Sequence, residues 1–253
     1  MARLDPKHYL KYSQIQMGVA AELIAQMDLQ GKERLLDVGS GDGKITAFLR
    51  ELVADVEGVD LCENMVHFAS QLFPHIRFTR QNAEEMIFDK PFDVITCLSA
   101  LHWVRRPVKA FKKMANALKP GGRAYILTYP VESMYWGPMY KAAQDPLFAP
   151  YLPSLATAYP AAHYCEAAQQ AGLEVISSAL QDHFATHDTL ENIKSYIHAW
   201  LPNLIDLPDD ELKSRFIDLA ISYHRAQAVD LGDHKIHLPY KTLVLILKKP
   251  GHS

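Results

Sequence analysis

The sequence has little of what marks secreted or membrane proteins. Its 253 residues include three cysteines, Cys62, Cys97 and Cys165. These are too scattered for a disulfide framework or a C-x-x-C metal site. The longest dense apolar run, residues 243–247, has the length of a strand and predicts no membrane span. The charged N-terminal residues are not typical of a secretory signal. We therefore expect a cytoplasmic protein, and delivery elsewhere stays open.

The sequence also has no excess of positively charged residues. The chain has 26 basic and 29 acidic residues, a formal net charge of −3, which argues against nucleic-acid binding through a broad basic surface. The basic pairs at residues 105–106 and 112–113 are expected on solvated helix faces. His183 and His187 are four apart without a third ligand, so both are predicted at the surface and no metal is expected. The oligomeric state stays open, with a monomer favoured.

Alternating strand and helix patterns predict the fold. With 49% hydrophobic residues the chain can bury a large core, and strands that alternate with helices form a mostly parallel sheet covered on both faces. We predict a doubly wound α/β protein with seven strands at residues 34–38, 56–60, 76–81, 92–97, 123–129, 173–180 and 241–248. Helices are expected at residues 14–27, 44–52, 63–72, from Pro107, at 189–200 with Asp188 and Glu191 as a capping box, and from Pro208 or Asp209.

A single domain is expected, with four parts. Residues 1–30 form an N-terminal helical segment, 31–130 a cofactor-binding core, 131–172 an insertion after the fifth strand, and 173–253 the C-terminal strands and helices. The insertion alternates aromatic residues with prolines, and insertions this long in an α/β domain are usually functional. We predict a helical, aromatic lid; an extra packing layer is the alternative.

Residues 34–46, RLLDVGSGDGKIT, carry the clearest ligand signal. A buried strand runs into Gly39, Gly41 and Gly43, and a helix follows. Glycines let the backbone approach a ligand closely, and the helix N-terminus offers free N–H groups. A dinucleotide site would have its third glycine where Lys44 stands, so this spacing weakens an NAD(P)-dependent oxidoreductase.

Two acidic residues refine the expected ligand. Asp37 ends the first strand and is expected to point into the crevice, where it suits a cationic group and repels a dinucleotide phosphate. Asp60 ends the second strand, about 20 residues beyond the glycines, where an acid binds a ribose. The two together predict a ligand with an ammonium group and a ribose. The alternative is a β–α turn whose glycines only reverse the chain.

Five motifs give a family resemblance. LLDVGSGDG, GVDLCENMVHFA, QNAEEM, FDVITCLSALHWV and ALKPGG resemble, in that order, the motifs of class I S-adenosylmethionine-dependent methyltransferases, most strongly over residues 32–130. The resemblance implies a Rossmann-like fold with S-adenosyl-L-methionine as cofactor and S-adenosyl-L-homocysteine as product. It also implies these cofactor-binding residues: Asp37, Gly39 and Gly41 for the methionine end, Asp60 for the ribose, Leu61 and Met65 for the adenine ring, Asn82 and Ala83 for its amine, and Leu98 beside the methionine portion. Asn82 stands where an aspartate is frequent, and its amide oxygen can still accept from that amine.

The acceptor site is predicted directly after the fourth strand. His102 and Trp103 should lie near the transferred methyl group, where each can donate an N–H; alternatively Trp103 packs in the core and His102 caps a turn. This block, the segment Y-x-x-Y-x-Q-x-Q at residues 9–16 and the C-terminal third resemble carboxyl methyltransferases, namely those of trans-aconitate and juvenile hormone acid. We assign His102, Trp103 and Gln16, with Gln14 as alternate, to holding the acceptor carboxylate. Further substrate-binding candidates are Tyr12, Tyr129 and Trp136.

The predicted function is methyl transfer to the free carboxylate of a small organic, fatty or isoprenoid acid. A carboxylate is ionised at neutral pH and needs no general base. Two alternatives stay open: a phenol, amine or ring-carbon methyltransferase with His102 as base, and a non-catalytic S-adenosylmethionine-binding module. The partner is a small-molecule acid; no nucleic acid, metal or membrane span is expected.

Overall fold

The computed structural model describes residues 14–133, 136–156, 158–226, 228–229 and 231–251. Across these residues the chain alternates strands and helices as the sequence predicts. In chain order the elements are α1 (Gln14–Ile24), β1 (Arg34–Val38), α2 (Lys44–Arg50), β2 (Asp55–Asp60), α3 (Glu63–Leu72), β3 (Arg77–Arg80), β4 (Phe92–Leu98), a short 3-10 helix (Leu101–Trp103), α4 (Pro107–Ala117), β5 (Leu118–Thr128), α5 (Trp136–Ala143), a second 3-10 helix (Ala149–Ser154), α6 (Ala161–Gln170), β6 (Glu174–His187), α7 (Leu190–Leu204), α8 (Asp210–Arg225) and β7 (Ile236–Lys248).

The strands within the described residues form one seven-stranded sheet in the order β3-β2-β1-β4-β5-β7-β6. β1 to β5 pair in parallel, whereas β7 is antiparallel to both β5 and β6. The predicted doubly wound, mostly parallel sheet is therefore confirmed. Because β1 and β4 are adjacent while their helices leave in different directions, a crevice opens at their carboxyl ends, where open α/β sheets bind ligands.

Two hydrophobic clusters cover the two faces of the sheet. One contains α1 residues such as Leu23 and Ile24, together with α5, α7 and α8. The other joins α4, through Phe111 and Met114, to Tyr164 and Ala168 of α6. Burial of both faces explains why the central strands are almost continuously apolar.

The predicted lid divides between two layers. α6 packs against α4 and β6, so residues 161–170 belong to a sheet layer, as in the alternative reading, and the prediction of a lid over this part is wrong. α5 packs against α8, and α8 packs against α7. These three helices, α5, α7 and α8, form a cap on one face of the sheet. Two of the three cap helices, α7 and α8, thus come from the C-terminal region, where no lid was predicted.

Several boundaries differ from the sequence prediction. β6 and β7 are longer than expected because they continue past β5 as a two-stranded ladder, from Gln181 paired with Thr242 to His187 paired with Ile236. The capping box of α7 is Thr189 with Asn192, one residue later than the predicted pair. His187 is buried near the Tyr196 ring, so its predicted surface position is wrong.

Candidate active site

A cavity of about 960 Å³ opens at the carboxyl ends of β1, β2 and β4. Small-molecule sites span roughly 300–1,000 Å³, so this volume suits a nucleoside-sized ligand together with an acceptor. Most of the predicted site residues reach it. Gly39, Gly41, Asp60, Leu61, Met65, Asn82, Ala83, His102, Trp103, Tyr129 and Trp136 line its wall.

The glycine turn forms the floor of the cavity beside β1. Gly39 and Gly41 have φ of 78° and 53°, a left-handed conformation that side chains rarely adopt. A Cβ on Gly39 would lie 2.2 Å from the Cβ of Ala100, so a larger residue would push the chain after β4 away. Gly43 is different: its missing side chain makes room for Ala69 and Phe78, which pack α3 against β3.

Asp60 presents its carboxylate at the end of β2. Its two oxygens accept from the N–H groups of Gly41 (2.9 Å) and Cys62 (2.8 Å). These bonds fix the carboxylate against the glycine turn, and its remaining lone-pair capacity can accept from a hydroxyl. Burial raises the pKa of Asp60, although the backbone N–H groups oppose this shift.

Apolar and amide groups stand beside Asp60. Leu61 is 48% exposed at the cavity wall, and Met65 is fully buried behind it. The Asn82 amide oxygen accepts the Glu84 N–H at 3.0 Å, which orients the loop after β3. Apolar side chains beside a fixed carboxylate and an amide are groups that could hold a nucleoside.

Arg106 enters this region from the start of α4. Its guanidinium donates to Glu84 at 2.5 Å, and its backbone N–H donates to the same carboxylate at 3.1 Å. Arg105 and Arg106 are both exposed, as predicted, but they precede α4 instead of lying on its face, and both also line the cavity.

Two predicted cofactor residues lie behind the cavity wall. Both Asp37 oxygens are used internally, one by the Thr46 hydroxyl (2.7 Å) and one by the Thr96 hydroxyl (2.8 Å). The expectation that Asp37 points into the crevice is therefore wrong. Burial raises its pKa to about 6, against the effect of both hydroxyls. Leu98 is also buried and packs in the core at the end of β4.

His102 and Trp103 lie side by side in the short helix after β4, with ring centroids 4.6 Å apart. His102 is 5% exposed, and its Nδ1 lies 3.4 Å from the Thr128 hydroxyl. Burial lowers the pKa of His102 to about 3. The imidazole is thus neutral at physiological pH, so it is a hydrogen-bonding group and a weak base.

Aromatic rings surround this pair. The Tyr129 ring is perpendicular to the His102 ring, with centroids 4.9 Å apart, and the Trp136 and Trp103 ring centroids are 5.5 Å apart. The Trp136 N–H donates to the Tyr129 carbonyl at 3.0 Å, so this N–H is already engaged within the protein. Burial raises the pKa of the Tyr129 phenol, which therefore stays protonated.

Helix α7 adds three residues to the part of the cavity around His102 and Trp103, and the sequence analysis did not predict them. The cavity is lined here by Tyr196, Trp200 and Asn203. The ring centroid of Trp200 lies 6.2 Å from those of Trp103 and Tyr196. Their i, i+4, i+7 spacing marks one helix face, but the same spacing is typical of core residues. Only the three-dimensional fold brings α7 to the cavity.

Three predicted substrate-binding residues are near the N-terminus: Tyr12, Gln14 and Gln16. Gln14 and Gln16 belong to α1, but their side chains lie outside the described part of the chain. Tyr12 lies entirely outside the described residues.

Comparison with known proteins agrees with this geometry. Residues 36–126 match a family model described as a methyltransferase domain. Over 245 residues the chain is 25% identical to juvenile hormone acid O-methyltransferase of Drosophila melanogaster, covering 87% of this chain and 81% of that protein. Over 120 residues it is 28% identical to trans-aconitate 2-methyltransferase of Pseudomonas paraeruginosa, covering 47% and 44% of the two chains.

A solved structure supports the fold. Geranyl diphosphate C-methyltransferase of Streptomyces coelicolor, in complex with Mg²⁺, geranyl diphosphate and S-adenosyl-L-homocysteine, is similar with a TM-score of 0.57 at 16% identity, covering 93% of this chain and 80% of that one. The Drosophila protein apart, this chain spans less than half the length of the first curated relatives it matches. No helix among the described residues is long and apolar enough to cross a membrane.

Proposed function

Starting from the confirmed resemblance to the class I S-adenosylmethionine-dependent methyltransferases, we propose that this protein methylates the free carboxylate of a small, largely apolar organic acid. S-adenosyl-L-methionine, when bound, supplies a methyl group carried on a positively charged sulfur. The residues that would hold it line the same cavity: Gly39, Gly41, Asp60, Leu61, Met65, Asn82 and Ala83.

The protonation state of His102 favours a carboxylate over a phenol or an amine as the methyl acceptor. A phenol or an amine has to lose a proton during methyl transfer, and a base with a pKa of about 3 removes one poorly. A carboxylate has no proton to lose at neutral pH. What it needs is a donor that fixes one oxygen while the other attacks, and a neutral imidazole N–H supplies this.

The cavity wall supports an apolar body for the acid. Trp103, Tyr129, Trp136, Tyr196 and Trp200 surround the acceptor end, and Arg106 is already bound to Glu84. Aromatic faces gain free energy by covering apolar surface. The relative from Drosophila is named for methyl transfer to an acid oxygen, which agrees with this acceptor class.

A substrate panel tests the proposal. The protein is incubated with S-adenosyl-L-methionine and octanoate, a branched unsaturated acid, citrate, a phenol or a primary amine, and methylated products are identified by mass spectrometry. We expect methyl esters of the apolar acids. Methylation of the phenol or the amine alone would refute the carboxylate assignment.

Two variants of one residue separate a donor from a base. His102→Gln keeps an N–H donor and should retain most activity, whereas His102→Leu should lose about 5- to 30-fold in kcat/KM, the equivalent of one hydrogen bond. If His102 is a general base, both variants should lose roughly 10²–10⁴-fold.

A further inference from the structure

We infer that Thr128 is a positioning residue that holds His102 in the tautomer with its N–H on Nε2, directed at the acceptor carboxylate. This inference rests on the proposed function and deepens it. Thr128 is the last residue of β5 and is fully buried. Nothing in its sequence context distinguishes it from a core threonine.

The contacts of the imidazole ring motivate the inference. Nδ1 lies 3.4 Å from the Thr128 hydroxyl, and among the described residues His102 has no other hydrogen-bond partner. The ring lines the cavity and is held by Trp103 and Tyr129. One ring nitrogen therefore faces a buried hydroxyl, and Nε2 remains for a ligand.

The chemistry of a neutral imidazole links the two nitrogens. Burial lowers the pKa of His102 to about 3, so the ring carries one proton and one lone pair. A carboxylate is repelled by a lone pair and attracted by an N–H, so the useful proton is on Nε2. The Nδ1 lone pair then needs a donor, because an unpaired buried acceptor costs roughly 1–3 kcal/mol. The Thr128 hydroxyl can rotate to donate.

This arrangement predicts different results for three side chains at position 128. Thr128→Val keeps the shape but removes the donor, so Nδ1 loses its partner and the other tautomer gains population. Thr128→Ser keeps the hydroxyl. A matched control is Thr242→Val, because Thr242 is also fully buried and bonds a histidine, His183, at 2.9 Å, yet does not line the cavity.

Nitrogen-15 NMR of the histidine rings gives a readout that does not depend on activity. In the wild-type protein at pH 7.5, His102 should be protonated on Nε2, with Nδ1 shifted as a hydrogen-bonded acceptor. That signature should be lost in Thr128→Val, return in Thr128→Ser and persist in Thr242→Val. A wild-type His102 protonated on Nδ1 would overturn the inference, and this measurement needs no variant to fold.

Kinetics with octanoate, or with another acid that the panel identifies, provide the second readout. Thr128→Val should lose about 5- to 30-fold in kcat/KM for the acid, with an unchanged KM for S-adenosyl-L-methionine. Thr128→Ser should recover most of the loss. Wild-type activity in Thr128→Val would also overturn the inference. If no acid is methylated by the wild type, the proposed function fails, while the NMR result still decides the tautomer.

Discussion

Asp37, which is buried next to the glycine turn, should destabilise the folded protein when its carboxyl group is ionised. Asp37 is buried among Thr46 and Thr96, and burial raises its pKa to about 6 from 3.8. Because the folded state binds the proton more tightly, the stability that Asp37 contributes is present below about pH 4. It is lost as the pH rises through 6.

We predict that Asp37→Asn stabilises the ligand-free protein at alkaline pH. The free energy of unfolding at pH 8 should rise by on the order of 1–3 kcal/mol, since an amide has no charge to bury and each threonine hydroxyl can still pair with it. The gain should shrink at pH 5, where the wild-type carboxyl is protonated. Urea unfolding at both pH values measures this, and a gain independent of pH would contradict it.

The orientation of Asp37 also marks a limit of sequence reasoning. The sequence places it at the end of β1, next to the ligand crevice, and that position is correct. Two threonine hydroxyls from α2 and β4 compete for its oxygens, and no local pattern reveals them. Asp60 could be predicted because its partners are backbone N–H groups of the glycine turn and of its own loop, which the motif itself supplies.

At the scale of elements, α7 connects stability to the acceptor end of the cavity. Its N-cap, Thr189, accepts from the Asn192 N–H at 3.2 Å, and Asn192 accepts from the Thr189 N–H at 3.1 Å. The same helix carries Tyr196 and Trp200 to the cavity wall. Loosening its first turn should therefore affect acceptor binding.

We predict that Thr189→Ala and Asp209→Ala have equal effects on stability and different effects on catalysis. Asp209 caps α8 through the Leu212 N–H at 2.8 Å, and α8 does not line the cavity. Each substitution should cost about 1 kcal/mol, measured by denaturant unfolding. Only Thr189→Ala should raise KM for the acid, because α7 lines the cavity and α8 does not. Equal KM changes would disprove the link.

The elements that the sequence predicts well are those with two buried faces. β1 and β4 are almost fully buried and largely apolar, and the helices have clear apolar stripes, such as Phe111 and Met114 of α4. The outer part of the β6–β7 ladder has no such signal, because only Ala185 and His187 are buried among β6 residues 181–187. The cap could not be predicted either, since it joins α5 to helices more than 45 residues later.

For the whole molecule, ligand binding and folding should be linked. A ligand that binds only the folded state at 100 times its Kd adds about 2.7 kcal/mol of stability. We predict that S-adenosyl-L-homocysteine raises Tm and that NAD does not. Asp60→Asn should weaken the shift, because a carboxylate fixed by Gly41 and Cys62 is lost. A shift with NAD alone would argue for a dinucleotide site.

Acid sensitivity is a second property of the whole molecule, since buried histidines occur on several elements. Burial lowers the pKa of His102 to about 3, of His224 to about 4, and also that of His187. Between these values and 6.5 the unfolded chain binds more protons, so stability should fall as the pH drops below 6.5. Asp37 has the opposite sign between pH 6 and 4, so the histidine contribution has to be isolated by substitution.

The substitution His224→Gln isolates the contribution of one buried histidine to the pH dependence of stability. His224, in α8, is buried, and both this burial and the nearby His187 lower its pKa. On going from pH 7 to pH 5, the wild type should lose roughly 1–2 kcal/mol more unfolding free energy than His224→Gln. The control is His75→Gln, because His75 is exposed and its replacement should leave the pH dependence as in the wild type. Parallel pH profiles for wild type and His224→Gln would mean that the folded and unfolded states bind the His224 proton equally tightly, which would contradict the prediction.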